Sequence, residues 1–120
     1  MELVALLSQD NGTWSQVSGL MKQGEWEKVI LLGDDFAKDN FTIPPTSKNV
    51  YFIKATLNQR LKDLRDEFLQ KLKGKINGTE VALSIASGDG KEHMALISAL
   101  LNLPAGIRFA ALTKDGIIDL

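Results

Sequence analysis

Val81-Ala82-Leu83-Ser84-Ile85-Ala86-Ser87-Gly88-Asp89-Gly90-Lys91-Glu92-His93 is the stretch whose reading decides the fold. Residues 81–86 form an apolar run with little alternation, the mark of a strand buried on both faces. Ser87 to Gly90 interrupts it with two glycines, and residues 91–101 are then so apolar that a helix formed there must bury most of its surface before Pro104 stops it. A buried strand, a glycine turn and a helix make half of a unit in which two parallel strands flank a crossover helix.

Working outward, the same alternation recurs. Residues 3–7 (Leu-Val-Ala-Leu-Leu) form a first continuous apolar run, closed by the polar Ser8-Gln9-Asp10-Asn11-Gly12. Thr13 with Gln16 three residues on suits a capping box, and Trp14, Val17, Leu20 and Met21 follow at helical spacing until Gly24. Residues 28–32 predict a second buried strand and Gly33-Asp34-Asp35 a turn. Residues 36–49 are expected to be the longest loop, with at most a helical turn at 36–38, because Pro44-Pro45 forbids regular structure. Residues 50–53 read as a third strand. Leu57, Leu61, Leu64, Phe68 and Leu72 then predict an amphipathic helix with a mixed-charge wet face, ended by the Asn77-Gly78 turn. At the far end, residues 107–112 and 117–120 flank Lys114-Asp115-Gly116, whose Asp-Gly step predicts an antiparallel hairpin. The expected fold is therefore α/β: a single Rossmann-like domain over residues 1–120, an open and mostly parallel sheet flanked by helices, with a C-terminal antiparallel hairpin.

Composition narrows the function classes. The 120 residues are 44% apolar and 24% charged, as in ordinary globular domains. A formal net charge of -1 supplies no global positive field for DNA or an acidic membrane, so general DNA binding is not expected. Without cysteine there are no disulfides, thiolate metal sites or cysteine nucleophiles, and with one histidine a metal site is not expected either. The start at Met1 is acidic and too short in apolar residues for a signal or a membrane span, which points to a cytoplasmic protein without membrane partners. Three Asn-X-Thr triplets, at Asn11, Asn40 and Asn77, read in that setting as turns and helix starts.

In an open parallel sheet, ligands bind beyond the carboxyl ends of the strands, where helix N–H groups point into a crevice. Three loops qualify: 8–13, 33–35 and 87–91. The strongest is the last, where Gly88 and Gly90 let the backbone approach an anion while Ser87 and Lys91 add donors. It is neither a P-loop, which needs glycine where Ile85 stands and a hydroxyl where Glu92 stands, nor the dinucleotide fingerprint, which needs glycine at His93. The alternative is a plain tight turn. His93 on the first helical turn is either a phosphate donor or general acid–base, or a packed histidine. Ser8, Asp10, Asn11 and Thr13 offer further hydrogen bonds beside Trp14, whose ring belongs either to the core or to a stacked base. Asp34 and Asp35 suit a ribose hydroxyl or magnesium, and equally an ordinary turn.

At the fourth strand the chain resembles the CRISPR-associated Rossmann fold (CARF) family. The likeness lies in the hydrophobic strand at Val81 to Ile85, the serine- and glycine-rich turn Ser87-Gly88-Asp89-Gly90 ending in basic Lys91, and the apolar helix from Met94. The polar loop after the first strand and the terminal hairpin agree with that layout; Asp89 splits the glycines that the family pairs. The resemblance implies a stand-alone homodimer binding a cyclic oligonucleotide across its two-fold axis, with Ser87, Gly88, Gly90 and Lys91 at one contact and residues 8–13 at another. A ligand-degrading phosphodiesterase of ring-nuclease type using Lys91, His93 and Ser87, and an interaction homodimer without a small ligand, are the competing expectations. No cofactor is expected, and a binding module ranks ahead of an enzyme.

Overall fold

The structure, a computed structural model, describes residues 1–120. Ten principal elements follow one another: β1 (Glu2–Leu7), α1 (Trp14–Gln23), β2 (Lys28–Gly33), α2 (Asp35–Asn40), β3 (Val50–Lys54), α3 (Leu61–Leu72), β4 (Glu80–Ser84), α4 (Gly90–Leu101), β5 (Gly106–Thr113) and β6 (Gly116–Asp119). The six strands form one sheet in the order β3-β2-β1-β4-β5-β6. β1 to β5 pair in parallel and β6 closes the sheet antiparallel to β5, from Thr113↔Gly116 to Ala110↔Asp119. This is the strand order of the Rossmann fold with the last strand reversed.

The continuous apolar runs have their cause in this layering. β1 lies at the centre, paired on both sides, and all six of its residues are buried. Its alternate side chains feed two cores. Val4 and Leu6 join Ile30, Leu32 and Leu83 under α3 and α4, where Leu64, Phe68 and Leu96 are completely buried. Leu3, Ala5 and Leu7 join Val29 and Leu31 under α1, which contributes Trp14, Val17, Leu20 and Met21. Truncating a side chain such as Phe68 to alanine would remove about 3–5 kcal/mol from a stability that is itself only about 5–15 kcal/mol. At the amino edge Glu2 is held by the N–H groups of Gly78 (2.7 Å) and Asn77 (2.9 Å) and by Lys28 (3.3 Å). Burial alone would raise its pKa, but these donors together outweigh it and hold the carboxyl below the ordinary value.

Four expectations are corrected. Residues 36–49 are not all loop, because Asp34 caps a six-residue helix, α2, through Ala37 N (3.0 Å). α3 begins at Leu61; Leu57, though in phase, lies in the preceding loop and is buried from there. β4 ends at Ser84, so Ile85 and Ala86 belong to the connection. Thr13 makes no side-chain cap: a 3-10 turn at Asn11–Thr13 runs directly into α1, giving Thr13 helical rather than extended torsions, and its hydroxyl donates to Asp10 O instead (3.3 Å). α4 buries Ala95, Leu96, Ala99 and Leu100, yet leaves Met94 and Leu101 exposed. No helix is long and apolar enough to cross a membrane.

Candidate functional site

α1 and α2 lie on one face of the sheet and α3 and α4 on the other, so at the carboxyl edge the loops after β1 and β2 leave toward one face and those after β3 and β4 toward the other. An open crevice of about 680 Å³ occupies that edge. Its floor is the end of β3 and the loop that follows, Lys54 to Asn58. Asp34, Asp35 and Phe36 form one wall, Asp89, Lys91 and Glu92 the other, and Ser8 with Gln9 stands between them.

The glycine loop is well ordered and largely self-satisfied. Gly88 has φ +106°, and a β-carbon there would meet Leu6 Cδ2 at 2.5 Å, so the sharp strand-to-helix turn requires glycine. Gly90, by contrast, has nothing within 4 Å of such a position. Ser87 is completely buried, and its Oγ accepts from Ser8 N at 2.8 Å, tying the loops after β4 and β1 together. The Asp89 carboxylate accepts from Glu92 N (2.8 Å) while Glu92 Oε1 accepts from Asp89 N (3.2 Å), a complete capping box. His93 Nε2 lies 2.9 Å from Ser87 O; a carbonyl only accepts, so that ring nitrogen carries the proton. Lys91 Nζ donates to Leu57 O (3.0 Å) and Gln59 O (2.8 Å), pinning the loop that leads into α3.

Of the sequence candidates, Ser8, Asp34, Asp35 and Lys91 line the crevice. Ser87, Gly88, Gly90 and His93 build the turn beside it, and Asp10, Asn11 and Thr13 form the 3-10 turn outside its lining. Trp14 belongs to the core, its indole N–H donating to Ser8 O (2.8 Å) and its ring packed near those of Phe36 and Phe41. Sequence reasoning passed over Phe36, Lys54, Thr56 and Asn58, although residues just beyond the end of a third parallel strand belong to the ligand edge as a rule.

Three helical N-termini near this edge are already filled by the chain's own acids. Asp10 caps the 3-10 turn through Gly12 N, Asp34 caps α2, and Asp89 caps α4. The partial positive charge that would attract a phosphate is thus offset internally. Around the crevice, Asp34, Asp35, Asp89 and Glu92 face two ammonium groups, Lys54 and Lys91. Lys54 pairs with Asp35 at 3.2 Å, both well exposed. Burial pushes Glu92 above the ordinary carboxylate value, and the neighbouring charge of Asp89 adds to this against the opposing N–H of Asp89 and the Lys91 ammonium. No group of three or more acidic or histidine side chains is arranged to hold a metal ion.

No family model matches this chain, and no curated protein does. Among solved structures it is similar to a short-chain dehydrogenase/reductase (ethylated) from Veillonella parvula DSM 2008. The TM-score is 0.49 at 14% identity, and the match covers 88% of this chain and 45% of that one. The present chain therefore spans less than half of the protein it matches. Fold and function rest on the geometry described above.

Proposed function

We propose that this Rossmann-like domain is a binding module for a nucleotide or a related phosphorylated ligand, held in the crevice at the carboxyl edge of the sheet. The crevice itself carries the reading: about 680 Å³ of open space at the position where this topology leaves room for a ligand, with acids, two amines and an aromatic ring on its walls. Its polarity sets the roles. Asp34 and Asp35 accept from ligand hydroxyls, as a ribose would offer. Phe36, 41% exposed, presents a ring to a planar base. Because the neighbouring helix starts are capped by aspartates, phosphate is held by the Lys54 ammonium, with Lys91 adding its field from the opposite wall.

Calorimetric titration with adenosine 5'-monophosphate, adenosine and inorganic phosphate tests this. The nucleotide binds most tightly, Lys54→Ala removes about ten-fold of its affinity, and Asp35→Asn weakens both nucleotide and nucleoside. Absence of saturable binding by either nucleoside ligand would overturn the reading. A phosphodiesterase is the weaker form, since Ser87 Oγ is buried and accepts from Ser8 N while His93 meets the Ser87 carbonyl rather than its hydroxyl.

A second observation favours self-association. Met94 and Leu101 are seven residues apart, hence on one side of α4, and are 59% and 70% exposed. They suit a homodimer packed helix on helix, and the cyclic oligonucleotide that the CARF resemblance implies would need such a pair. Sedimentation equilibrium of wild type against Met94→Lys/Leu101→Lys separates the cases: a dimer that the double variant dissolves supports this reading, and a wild-type monomer at high micromolar concentration ends it.

A further inference from the structure

β3 is the outermost strand on its side of the sheet, with β2 as its only neighbour. Val29 N donates to Asn49 O (3.0 Å) and Ala55 N to Gly33 O (2.8 Å), so the odd-numbered residues from 49 to 55 turn their peptide groups toward β2. Alternation turns the N–H and C=O groups of Val50 and Phe52 outward, and no backbone group of a loop bonds to them. Lys71 of α3 closes the far end of the edge by donating to Lys54 O. Beside the stretch left free, on the α3 side of β2 and β3, runs an open groove of about 370 Å³. Ile30 and Ile53 supply its apolar lining, and Tyr51, 54% exposed, a ring that the Lys28 ammonium overlies at 5.8 Å.

An unpaired edge built of Val50, Tyr51, Phe52 and Ile53, all strong strand formers, is a template for another strand. Charge decides which strand it admits. Lys75 lines the groove, Lys73 adjoins Gly74 of that lining, and Lys48 stands two residues before β3; all three are exposed and none has a carboxylate partner. No acidic residue lines the groove. We propose that this edge is a docking site for an extended acidic segment of a partner protein, which adds a seventh strand through the peptide groups of Val50 and Phe52 and lays an apolar side chain in the groove. Two copies of this chain pairing through β3 would bring their lysines together, so the charges that admit an acidic strand keep the copies apart. The groove shares no lining residue with the crevice and involves neither Met94 nor Leu101, so this inference stands apart from both readings above.

The probe is the acetylated and amidated peptide Glu-Glu-Thr-Val-Thr-Val-Thr-Glu-Glu, titrated into the full isotope-labelled chain at low salt. Its binding saturates, and hydrogen exchange at the Val50 and Phe52 amides slows at least about ten-fold, while Tyr51 and Ile53, already bonded to β2, change little. Asn58 in the crevice and Met94 on α4 keep their chemical shifts. Lysine in place of every glutamate of the peptide, or proline in place of both valines, abolishes binding. Lys73→Glu/Lys75→Glu, two exposed and unpaired positions whose exchange leaves the thermal melt unchanged, weakens binding at least about ten-fold, and Lys48→Glu weakens it to a smaller extent. Absence of saturation, protection that skips Val50 and Phe52, or equal affinity for the lysine or proline peptide would each overturn the proposal. So would protection of those two amides that rises with protein concentration alone, which would make a second copy the occupant.

Discussion

The loop after β4 and the loops after β2 and β3 meet at the same edge and use their residues in opposite ways. The first is rich in glycine and ends in a lysine, yet its hydroxyl, carboxylates and ammonium are spent on the chain itself: Ser87 on Ser8, Asp89 and Glu92 on each other's N–H, Lys91 on two carbonyls. The second pair has one glycine, Gly33, and carries Asp35, Phe36, Lys54 and Thr56 exposed to the crevice. Glycine marks where the backbone turns sharply. Open ligand space follows instead from which loops splay apart, a property of strand order.

The largest test of this contrast lies within the glycine loop. Gly88→Ala should destabilise the fold by about 2–4 kcal/mol, combining positive-φ strain with the collision at Leu6. Gly90→Ala, at the first helical position with open space around it, should be neutral or stabilising by up to about 1 kcal/mol. Urea midpoints compare them. Equal effects would mean that the turn has no special geometry and that the contrast is misplaced.

Strands were legible because a strand covered on both faces must be apolar throughout, as in Leu3 to Leu7 and Lys28 to Leu32. The hairpin was legible from Asp115-Gly116, and Gly116 does take φ +108°. Boundaries failed where loop residues serve the same core as the neighbouring element. Leu57 keeps helical phase with Leu64 because both pack into one core, although only Leu64 is helical; Leu61, in phase with both, is exposed. α2 was hidden because it buries a single residue, Ala37, and periodicity cannot emerge from one position. Half of the crevice was missed for a related reason: Lys54 to Thr56 fell between an expected strand and an expected helix, and Leu57 and Asn58 at that helix's expected start, where only the tertiary arrangement gives polar residues a common direction.

A smaller effect separates the two lysines on the crevice walls. Lys91 holds the carbonyls of Leu57 and Gln59, so Lys91→Ala should lower stability by about 1–2 kcal/mol. Lys54 makes an exposed pair with Asp35, so Lys54→Ala should change stability by less than about 0.5 kcal/mol. For ligand affinity the order reverses, with Lys54 the more important. A destabilised Lys54 variant beside a stable Lys91 variant would show that the roles of the two walls are exchanged.

The finest distinction is a slope with pH, read at two buried glutamates on opposite edges of the sheet. Glu92, on the crevice wall, has its pKa raised, chiefly by burial. The folded state therefore binds its proton more tightly than the unfolded chain does. Its contribution favours folding at acid pH and declines as pH rises from about 4.5 through the folded value. Glu92→Gln keeps an amide oxygen for Asp89 N, preserving that half of the capping box while removing the titration. The stability of wild type relative to this variant should consequently fall with rising pH and then level off. Glu2, at the amino edge, runs the other way. Its pKa is lowered because the Gly78 and Asn77 N–H groups and Lys28 outweigh the burial, so its contribution is present above the ordinary carboxylate value and is lost as pH falls. Urea denaturation of wild type, Glu92→Gln and Glu2→Gln from about pH 2.5 to 8 reads both signs, because the Glu2 contribution changes below the ordinary value of 4.5 and the Glu92 contribution above it. Opposite slopes locate the unfavourable charge at the crevice, where a ligand's donors would relieve it. Parallel slopes would mean that Glu92 is as well satisfied as Glu2, and that the two edges differ in shape alone.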